Sequence, residues 1–525
     1  MHESRRSFLR RAGVLAAPLL LGRGLEAGAA ALFDVREHGA RGDGRTKDTR
    51  AIQAAIDAAA RSGGGTVSLP AGDYVSGTLR LRSHIALRLD AGATLLASPD
   101  KDDFDPPEGP GYETFTDLET RDFKFALLQG RGVSHVRILG PGRIDGNRTS
   151  RDGPKPIALR ECRRVEIRDL TITNAPNYGI SLLGCEGVDI LRVKILNGYS
   201  DGIDPDCCRN VRIVGCHIES RDDAVVLKTS FALGGRRSTE HVTVTDCHLV
   251  TMHNALKLGT ESTGDFRHIT FRDCTIVGRP HGWKGELSAG VSLQSVDGGT
   301  LERVVVSNIR MTNVRSPIFV RLGRRGRAQE PGTEGALRDV SISNVSATGA
   351  SGGSSITGVP GLPVGRISLT NVRIQATGGM RGAPASLDMP EMEARYPDAV
   401  MFGDLPAYGL YCRHVAGLTA DGIDLSVAQP DARPAVVLDD ARSVHVRSLR
   451  AMPPAGGGPT LWMHGVQDVD VTDTRRHAGE NPVVRVGGRT TSRVRLLADG
   501  DDGRDLHAVV LDGDVVASAL TIGRR

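Results

Sequence analysis

The fold is decided by the stretch Cys162-Arg163-Arg164-Val165-Glu166-Ile167, which returns twice along the chain at a constant spacing. Its copies are Cys185-Glu186-Gly187-Val188-Asp189-Ile190 and Cys208-Arg209-Asn210-Val211-Arg212-Ile213, so successive valines lie 23 residues apart (188 − 165 and 211 − 188). Apolar and polar residues alternate in each copy, which is typical of a half-buried β-strand. Related runs continue toward the C-terminus: Val242-Thr243-Val244, Ile269-Thr270-Phe271, Val304-Val305-Val306, Val340-Ser341-Ile342, Ile367-Ser368-Leu369, Val444-His445-Val446 and Val469-Asp470-Val471.

A repeat of this length fits either a leucine-rich repeat or one coil of a parallel β-helix. The leucine-rich alternative needs a leucine-rich consensus with a helix in each repeat, and the sequence shows neither. In a β-helix, equivalent residues of successive coils form columns about 4.8 Å apart. We therefore predict an all-β parallel β-helix. A single helix over residues 49–60, with Ile52 and Ile56 on one face, is predicted to cap its N-terminal end.

The composition agrees with a chain of many short strands joined by tight turns. The 525 residues include 65 glycines, and aromatic residues make up only 4 %. Lys and Arg together number 66 and Asp and Glu 62, which leaves a net charge of +4. Because this charge is close to balance, it gives no reason to expect a nucleic-acid partner.

The first thirty residues have the pattern of an export signal. Ser4-Arg5-Arg6-Ser7-Phe8-Leu9-Arg10 resembles the twin-arginine signal, and the apolar residues 12–22 are too few to span a membrane. Small residues at Ala27, Ala29 and Ala31 offer a cleavage site. The alternative is a basic amphipathic helix at the N-terminus.

Three segments follow from this pattern. We predict a signal peptide over residues 1–30, a catalytic β-helix domain over residues 31–430, and C-terminal β-helix coils or a cap over residues 431–525. The twin-arginine export machinery would be a transient partner, and the mature protein would be periplasmic or extracellular. No other apolar run is long enough for a membrane span, and we expect a monomer.

The cysteines obey the same spacing as the strands. Cys162, Cys185 and Cys208 begin the three copies, and the matching places of later coils hold Val415, Ala441 and Val466. A column that accepts valine and alanine is an interior one, so mostly free, buried thiols are predicted. A metal cluster and disulfides between coils are the alternatives. Cys216, Cys247 and Cys274 share a second position, whereas Cys207 fits neither column and its state is left open.

Aspartates are concentrated in two neighbouring coils. Asp201 lies in Ser200-Asp201-Gly202-Ile203-Asp204, and Asp222 and Asp223 follow Arg221. The separation from Asp201 to Asp222 is 21 residues (222 − 201), close to one coil, so stacking is expected to bring Asp201 beside the pair. Adjacent residues of a strand face opposite sides, so the backbone must bend at Asp222 if both carboxylates serve one cleft.

Such a trio of carboxylates has a clear chemical use. Hydrolysis of a glycosidic bond needs one protonated carboxyl to donate to the leaving oxygen and one ionised carboxylate to activate water or attack carbon. Three crowded carboxylates do not all ionise without cost, so at least one pKa is expected to be raised. A solvated acidic turn and a calcium site are the alternatives.

The next coil adds candidate binding residues. Counting 12 residues beyond Val211 and Val242 gives Asp223 and Asn254, so His253 is expected to stack near Asp222. His253 would tune the acid or bind sugar, unless it is simply a surface residue. The other candidate substrate-binding residues are Asn254, Lys228, Lys257 and Glu261; both lysines are alternatively exposed charges on the outside of the solenoid.

These residues resemble glycoside hydrolase family 28, the polygalacturonases and rhamnogalacturonases, in a divergent bacterial branch. The family carries Asn-Thr-Asp, Asp-Asp, Gly-His-Gly and Arg-Ile-Lys motifs. Tyr199-Ser200-Asp201 corresponds to the first and Asp222-Asp223 to the second, and Gly142-Arg143-Ile144-Asp145-Gly146 is another element typical of pectin-acting enzymes. The third motif reads His253-Asn254-Ala255 here, and the fourth reads Ser292-Leu293-Gln294.

The resemblance implies a right-handed, pectin-lyase-like β-helix that hydrolyses pectic polysaccharide or oligouronide. Asp222 would be the general acid, while Asp201 and Asp223 would hold and activate the water, with inversion at the anomeric carbon. An inverting pair stands roughly 6.5–9.5 Å apart. No metal or other cofactor is implied. Arg321 is a candidate for the missing motif cation, although a solvent-facing strand residue is the favoured interpretation of it.

Two other functions compete with hydrolysis. A polysaccharide lyase on the same fold would use Ca²⁺ at the acidic cluster, and a non-catalytic carbohydrate-binding β-helix would use neither. The choice between endo and exo attack depends on loops that close the groove. The candidate loops are residues 100–122, 279–286 and 378–398.

Overall fold

Parallel pairing between successive coils generates the whole architecture of the chain. The computed structural model describes residues 31–524 except 108, 110, 122, 280–287, 383, 385, 477–482 and 499–507. The predicted signal peptide, residues 1–30, therefore lies outside the described residues. All 39 described strands belong to one continuous system in which every strand pairing is parallel. The predicted all-β parallel β-helix is confirmed.

The strands, numbered in chain order, follow one another with few helical interruptions. The N-terminal coils contain β1 Leu32–Asp34, β2 Asp43–Lys47, β3 Gly65–Leu69, β4 Gly72–Ser76, β5 Leu79–Arg80, β6 Ile85–Leu89, β7 Ala93–Ala97, β8 Ala126–Arg131, β9 Ser134–Leu139 and β10 Arg143–Asp145. The next coils contain β11 Lys155–Arg160, β12 Arg163–Arg168, β13 Thr171–Thr173, β14 Ile180–Leu183, β15 Glu186–Leu191, β16 Lys194–Gly198, β17 Ile203–Asp206, β18 Arg209–Val214, β19 His217–Ser220, β20 Val225–Thr229, β21 Thr239–Thr245, β22 His248–Thr251 and β23 Asn254–Ser262.

The remaining strands are longer in the middle of the chain and short again near its end. They are β24 Phe266–Gly278, β25 Ala289–Ser295, β26 Thr300–Thr312, β27 Ser316–Leu322, β28 Ala336–Ala350, β29 Ser354–Thr357, β30 Val364–Gly378, β31 Leu410–Gln429, β32 Val436–Ala451, β33 Leu461–His464, β34 Gln467–Thr472, β35 Arg475–Arg476, β36 Val483–Gly487, β37 Ser492–Ala498, β38 Ala508–Leu511 and β39 Leu520–Arg524. The helices are α1 Thr49–Arg61, α2 Leu118–Arg121 and the 3-10 turns Val35–His38, Lys101–Asp103 and Ala517–Ala519.

The valine column of the sequence repeat is an interior column of the solenoid. Val165 pairs with Val188, and Val188 pairs with Val211, and all three are buried. The cysteine that begins each copy is buried as well, and all eight cysteines of the chain are free thiols. The prediction of mostly free interior thiols is confirmed, and it extends to Cys207.

The second residue of each strand in this column has left-handed backbone geometry. Arg164 has φ 56°, Gly187 φ 69° and Asn210 φ 56°, and each of them immediately precedes the column valine. A positive φ turns the chain sharply without lengthening the coil. The corner therefore stays at the same place in every coil, and the strands keep their register.

Later coils join two strands into one. β21 and β22 are separate strands, but both of them pair with the single strand β24. The long strands β26, β28, β30, β31 and β32 continue this arrangement. Thr239 pairs with Phe266 and Thr251 with Gly278 at a constant offset, so merging the two strands does not disturb the register.

The predicted N-terminal helix is present as α1, which packs against β1 and β3. Ile52 and Ile56 are both completely buried, as their shared face predicts. At the other end, β31 pairs with β32 over most of its length, so strands on both sides of residue 430 are in register. Among the described helices, none combines the length and the apolar character needed to cross a lipid bilayer.

Candidate active site

The predicted site residues lie in three stacked strands and in the turns that lead into them. Ile203 of β17 pairs with Val225 of β20, and Val225 pairs with Leu256 of β23. Asp201 and Asp223 therefore occupy equivalent places two residues before these strand positions, and the Asp223 backbone N–H donates to Asp201 Oδ1 at 3.2 Å. The predicted stacking of Asp201 beside the aspartate pair is confirmed.

The backbone bends at Asp222, as the sequence requires. β19 ends at Ser220 and β20 begins at Val225. The hydroxyls of Ser220 and Thr251 both donate to the Asp222 carbonyl and hold the bend. As a result, Asp222 and Asp223 reach the same atom: His253 Nδ1 lies 3.1 Å from Asp222 Oδ1 and 2.9 Å from Asp223 Oδ1.

Asp223 is the most heavily hydrogen-bonded carboxylate of the group. It accepts from the Asn254 backbone N–H at 3.0 Å, from the Asn254 amide at 2.7 Å and from Lys257 Nζ at 2.8 Å. Burial alone would raise the pKa of Asp223. The charges of Lys257 and His253 outweigh burial and hold that pKa well below its usual range.

Asp201 and Asp222 have opposite environments. Burial, followed by the charge of Asp222, raises the pKa of Asp201 well above its usual range. Burial also acts to raise the pKa of Asp222, but the hydrogen bond with His253 and the charge of Arg151 lower it overall. Arg151 Nη1 donates to Asp222 Oδ2 at 2.5 Å. The two carboxyls therefore have pKa shifts in opposite directions.

The carboxylates of the pair are closer than an inverting acid and base usually are. Asp222 and Asp223 each place an oxygen within 4.8 Å of the other, whereas such groups usually stand roughly 6.5–9.5 Å apart. The spacing of Asp222 and Asp223 therefore does not by itself indicate inversion.

His253 connects the aspartates to a loop far along the chain. Its Nε2 lies 3.1 Å from Asp398 Oδ2, and Ser288 Oγ donates to the other Asp398 oxygen at 2.6 Å. Burial would lower the pKa of His253. The charge of Asp223 and hydrogen bonds with Asp222, Asp223 and Asp398 raise it well above its usual range. His253 lies beside Asp222 as predicted, and it is a half-buried residue of the cluster rather than a free surface side chain.

Both candidate lysines are buried, so neither is an exposed charge on the outside of the solenoid. The Lys228 side chain is 4 % exposed; it donates to Asp204 Oδ2 at 2.8 Å and to Tyr178 Oη at 3.0 Å. Burial raises the pKa of Asp204 to about 6, although Lys228 opposes this shift. The Lys257 side chain is 5 % exposed and is paired with Asp223.

Glu261 completes the set of predicted binding residues and lies beside another cation. It is buried, and its Oε1 has no hydrogen-bond partner among the described residues. Burial would raise the pKa of Glu261, but the charges of Lys228, Arg325 and Lys257 lower it. Arg325 itself donates to Asp297 Oδ2 at 2.5 Å.

The favoured interpretation of Arg321 as a solvent-facing strand residue is wrong. Its side chain is buried, and it donates to the carbonyls of Gly358 at 2.9 Å and Glu391 at 2.6 Å. A guanidinium has several N–H donors and can bind both carbonyls at once. Arg321 therefore anchors a loop and does not reach the site as a replacement cation.

Loops border the site along the axis of the solenoid. Residues 379–409, which we call the cap loop, carry Asp398 and cover the outer faces of Ala289 and Phe319. From another loop, Glu119 accepts a hydrogen bond from Arg151 at 2.9 Å. Of the three loops predicted to close the groove, residues 100–122 and 378–398 thus reach the site, whereas residues 280–287 lie outside the described part of the chain.

Asp222, Asp223 and His253 are close enough together to share a cation. However, Arg151 already occupies one oxygen of Asp222, and Lys257 occupies one of Asp223. The local positive charges oppose a divalent ion at this place. The donor set is better suited to moving protons than to holding a metal.

A family model described as Glycosyl hydrolases family 28 matches residues 66–385. The chain belongs to glycosyl hydrolase family 28. It is therefore a glycosidase. A second model, described as Rhamnogalacturonase A/epimerase, pectate lyase-like, matches residues 32–95.

Individual relatives agree with this family assignment. The chain is 24 % identical over 379 residues to a probable polygalacturonase of Vitis vinifera (66 % of this chain, 75 % of the relative). It is 25 % identical over 303 residues to an endo-polygalacturonase of Pectobacterium carotovorum subsp. carotovorum (52 % and 71 %).

Two solved structures share the fold and bear out its predicted right-handed, pectin-lyase-like form. One is an exopolygalacturonase from Thermotoga maritima, with TM-score 0.56, 21 % identity and coverage of 66 % of this chain and 87 % of that one. The other is a family 28 exopolygalacturonase from Yersinia enterocolitica, with TM-score 0.61, 17 % identity and coverage of 84 % and 78 %.

Several contacting residues were missed by the sequence reasoning. Asp204 lies in the quoted aspartate stretch, but only the structure shows that it pairs with Lys228. Arg151 and Asp398 come from loops, and loops have no repeat spacing that would align them with Asp222 or His253. The signal for Asp398 was limited to its membership of a loop that was expected to border the groove.

Proposed function

We propose that this family 28 glycosidase cleaves glycosidic bonds of pectic polysaccharide or oligouronide, as a polygalacturonase-like enzyme. The observation that carries the proposal is the contact of Asp222 and Asp223 with one nitrogen of His253, with Asp201 stacked beside them. The carboxylates have unlike environments, and this is the condition for separate acid and base roles at one pH. The names of the polygalacturonase relatives support the substrate class.

In the proposed mechanism, Asp222 is the general acid. Its proton passes to the glycosidic oxygen as the bond from that oxygen to the anomeric carbon breaks. Asp201 and Asp223 hold a water whose oxygen bonds to the anomeric carbon, and one of them takes the water proton. The product then has the inverted configuration. Inversion is a prediction from the family resemblance, and NMR of the first-formed anomer tests it.

The remaining candidate residues would bind the sugar. Asn254 and His253 offer hydrogen-bonding groups next to the aspartates, while Lys228, Lys257 and Glu261 are buried close to them. Loops that border the aspartates favour a short oligosaccharide or a chain end over the middle of a long polymer.

The proposed organisation of the whole chain follows the sequence. Residues 1–30 would direct export through the twin-arginine machinery, so that the enzyme acts in the periplasm or outside the cell. Residues 31–430 would form the catalytic β-helix, and residues 431–525 the C-terminal coils or cap. We propose that the protein is a monomer.

The experiment that tests the function is mass spectrometry of homogalacturonan and rhamnogalacturonan oligosaccharides after incubation with the enzyme and with Asp222→Asn. Fragments that have each gained one water, formed by the wild type only, are the expected result. Unsaturated fragments would identify a lyase and overturn the proposal. Intact oligosaccharides from both proteins would leave a carbohydrate-binding protein as the better interpretation.

A further inference from the structure

The proposed general acid is paired with a cation in the free site. Asp222 is faced by Arg151 and His253 as positive or protonatable groups, and by Asp201 and Asp223 as acidic ones. A carboxylate that accepts a charge-assisted hydrogen bond from a guanidinium holds a proton poorly. For Asp222 to act as an acid, the contact with Arg151 has to open.

Arg151 is placed so that it can change partners. Besides its bond to Asp222, it donates to Glu119 Oε1 through Nε at 3.1 Å and Nη2 at 2.9 Å. Its side chain is 31 % exposed and comes from the segment between β10 and β11. Glu119 therefore anchors one edge of the guanidinium while the other edge points into the site.

The other cations near the aspartates are less free to move. Lys228 and Lys257 are nearly inaccessible, and each is already bound to an aspartate. Arg325 holds both oxygens of Asp297 with Nε and Nη2. Releasing any of these cations would leave a buried carboxylate without its partner, which is costly. Opening the more exposed Arg151–Asp222 contact costs less.

We propose that Arg151 is a specificity-determining residue that binds a carboxylate of the substrate and, by leaving Asp222, allows Asp222 to become the acid. The inference rests on the proposed hydrolysis of an anionic sugar and adds the residue that selects it. The substrate carboxylate replaces Asp222 as the acceptor of the Arg151 N–H groups. Asp222 then takes up a proton from solvent or from Asp201, and no other bond changes in this step. Binding of an anionic sugar thus promotes protonation of Asp222, the step needed for cleavage of that sugar.

The test compares Arg151→Gln with Arg148→Gln on unesterified and methyl-esterified galacturonate oligosaccharides. Arg148 lies on the same segment and donates to the carbonyls of Asn147 and Ser98, so its variant controls for loss of loop structure. We expect Arg151→Gln to lower kcat/KM by about 10- to 100-fold on the unesterified substrate, the range of one hydrogen bond between charged groups. The loss on the esterified substrate should be several-fold smaller.

The pH profile separates partner exchange from a merely structural role. In the free enzyme Arg151 lowers the pKa of Asp222, so its removal should move the alkaline limb of kcat/KM up by about one pH unit. The alkaline limb of kcat should not move, because the substrate has already drawn Arg151 away in the bound state. An equal shift of both limbs, or an equal loss on both substrates, would overturn the inference.

Failure of the inference and failure of the proposed function give different results. If the wild type hydrolyses uronides and Arg151→Gln matches Arg148→Gln in every measurement, the function stands and the role of Arg151 is wrong. If the wild type hydrolyses only neutral oligosaccharides, the proposed substrate class is wrong and the Arg151 inference is overturned with it.

Discussion

Two regions on the outer face of one sheet have the same backbone structure but different side chains, one forming the candidate site and the other packing against the cap loop. The face runs in register through Val226, Lys257, Ser292, Phe319, Ser355, Tyr411, Val437, Trp462 and Arg485. Around Lys257 the neighbouring side chains are charged and form the candidate site. Around Tyr411 they are apolar and pack with Leu387 and Leu405 of the cap loop.

The interior does not distinguish these two regions. Leu256, next to Lys257, and Cys412, next to Tyr411, are both completely buried in the same core. Packing of the interior therefore fixes the coil, and the outward side chain at each coil remains available for another role. In this chain, the outward positions determine where chemistry takes place and where a loop is anchored. The comparison predicts loss of activity at one region and loss of stability at the other.

The largest expected effect is on activity at the charged region. Asp222→Asn removes the proposed acid and should lower kcat by about 10³-fold, within the usual range for acid–base catalysis. The rate of product formation from a galacturonate oligosaccharide is the measurement. The matched control is Asp189→Asn, an aspartate on another outer face that is paired with Arg212. Nearly full activity of Asp222→Asn would remove the proposed acid from the mechanism.

The next effect concerns the stability of the charged region itself. Lys257→Met leaves the buried Asp223 without its ammonium partner, so the free energy of unfolding should fall by about 3–5 kcal/mol. Urea denaturation followed by circular dichroism measures it. Lys194→Met, at an exposed position, should change stability little. Equal losses in the two variants would show that the buried pair is not what stabilises this region.

A smaller effect is expected at the apolar region. Leu405→Ala removes a buried side chain of the cap loop from its contacts with Tyr411 and its neighbours, and it should cost about 2 kcal/mol of unfolding free energy. The strands that carry the aspartates do not depend on the packing of Leu405. The kcat of Leu405→Ala should therefore fall less than the kcat of Asp222→Asn. Leu32→Ala is the control at an exposed leucine. A loss of activity as large as that of Asp222→Asn would contradict the separation of the two regions.

The smallest effect lies where the two regions touch. Asp398→Asn removes the negative charge of one of the acceptors that raise the pKa of His253, so that pKa should fall toward its usual value near 6.5. Protonated His253 stabilises the fold fully below that usual value, and this stabilisation is lost as the pH rises through the folded-state pKa. In Asp398→Asn the loss should begin at a lower pH.

This last prediction is tested by measuring the melting temperature of both proteins from pH 6 to pH 9. A curve for Asp398→Asn that is parallel to the wild-type curve would show that Asp398 does not support the charge of His253.

Much of the fold followed from the sequence because the repeat encodes the interior directly. The valine column, the cysteine column and helix α1 all reflect burial of apolar groups at a fixed period, and periodicity is visible in one sequence. The same counting placed Asp201 and Asn254 beside Asp223. Counting by coil length predicts neighbours only for residues at equivalent positions of successive coils.

The rest of the site depends on contacts that no period describes. Arg151 and Asp398 reach the aspartates from loops, whose paths are set by packing rather than by coil length. Arg321 was misjudged because alternation along a strand shows which face a side chain takes, but not whether a loop covers that face. The boundary at residue 430 and the signal over residues 1–30 remain predictions.

The contact between His253 and Asp398 has a consequence for the order in which the enzyme becomes competent during synthesis. The two residues are 145 positions apart, and eight strands, β23 to β30, lie between them along the chain. Coils that stack on their neighbours can form as the chain grows, so Asp201, Asp222, Asp223 and His253 come together early. His253 gains Asp398 as an acceptor only after the cap loop has been synthesised. Strand content therefore reports how much of the chain has folded, whereas full protonation of His253 reports that the cap loop has packed against the site.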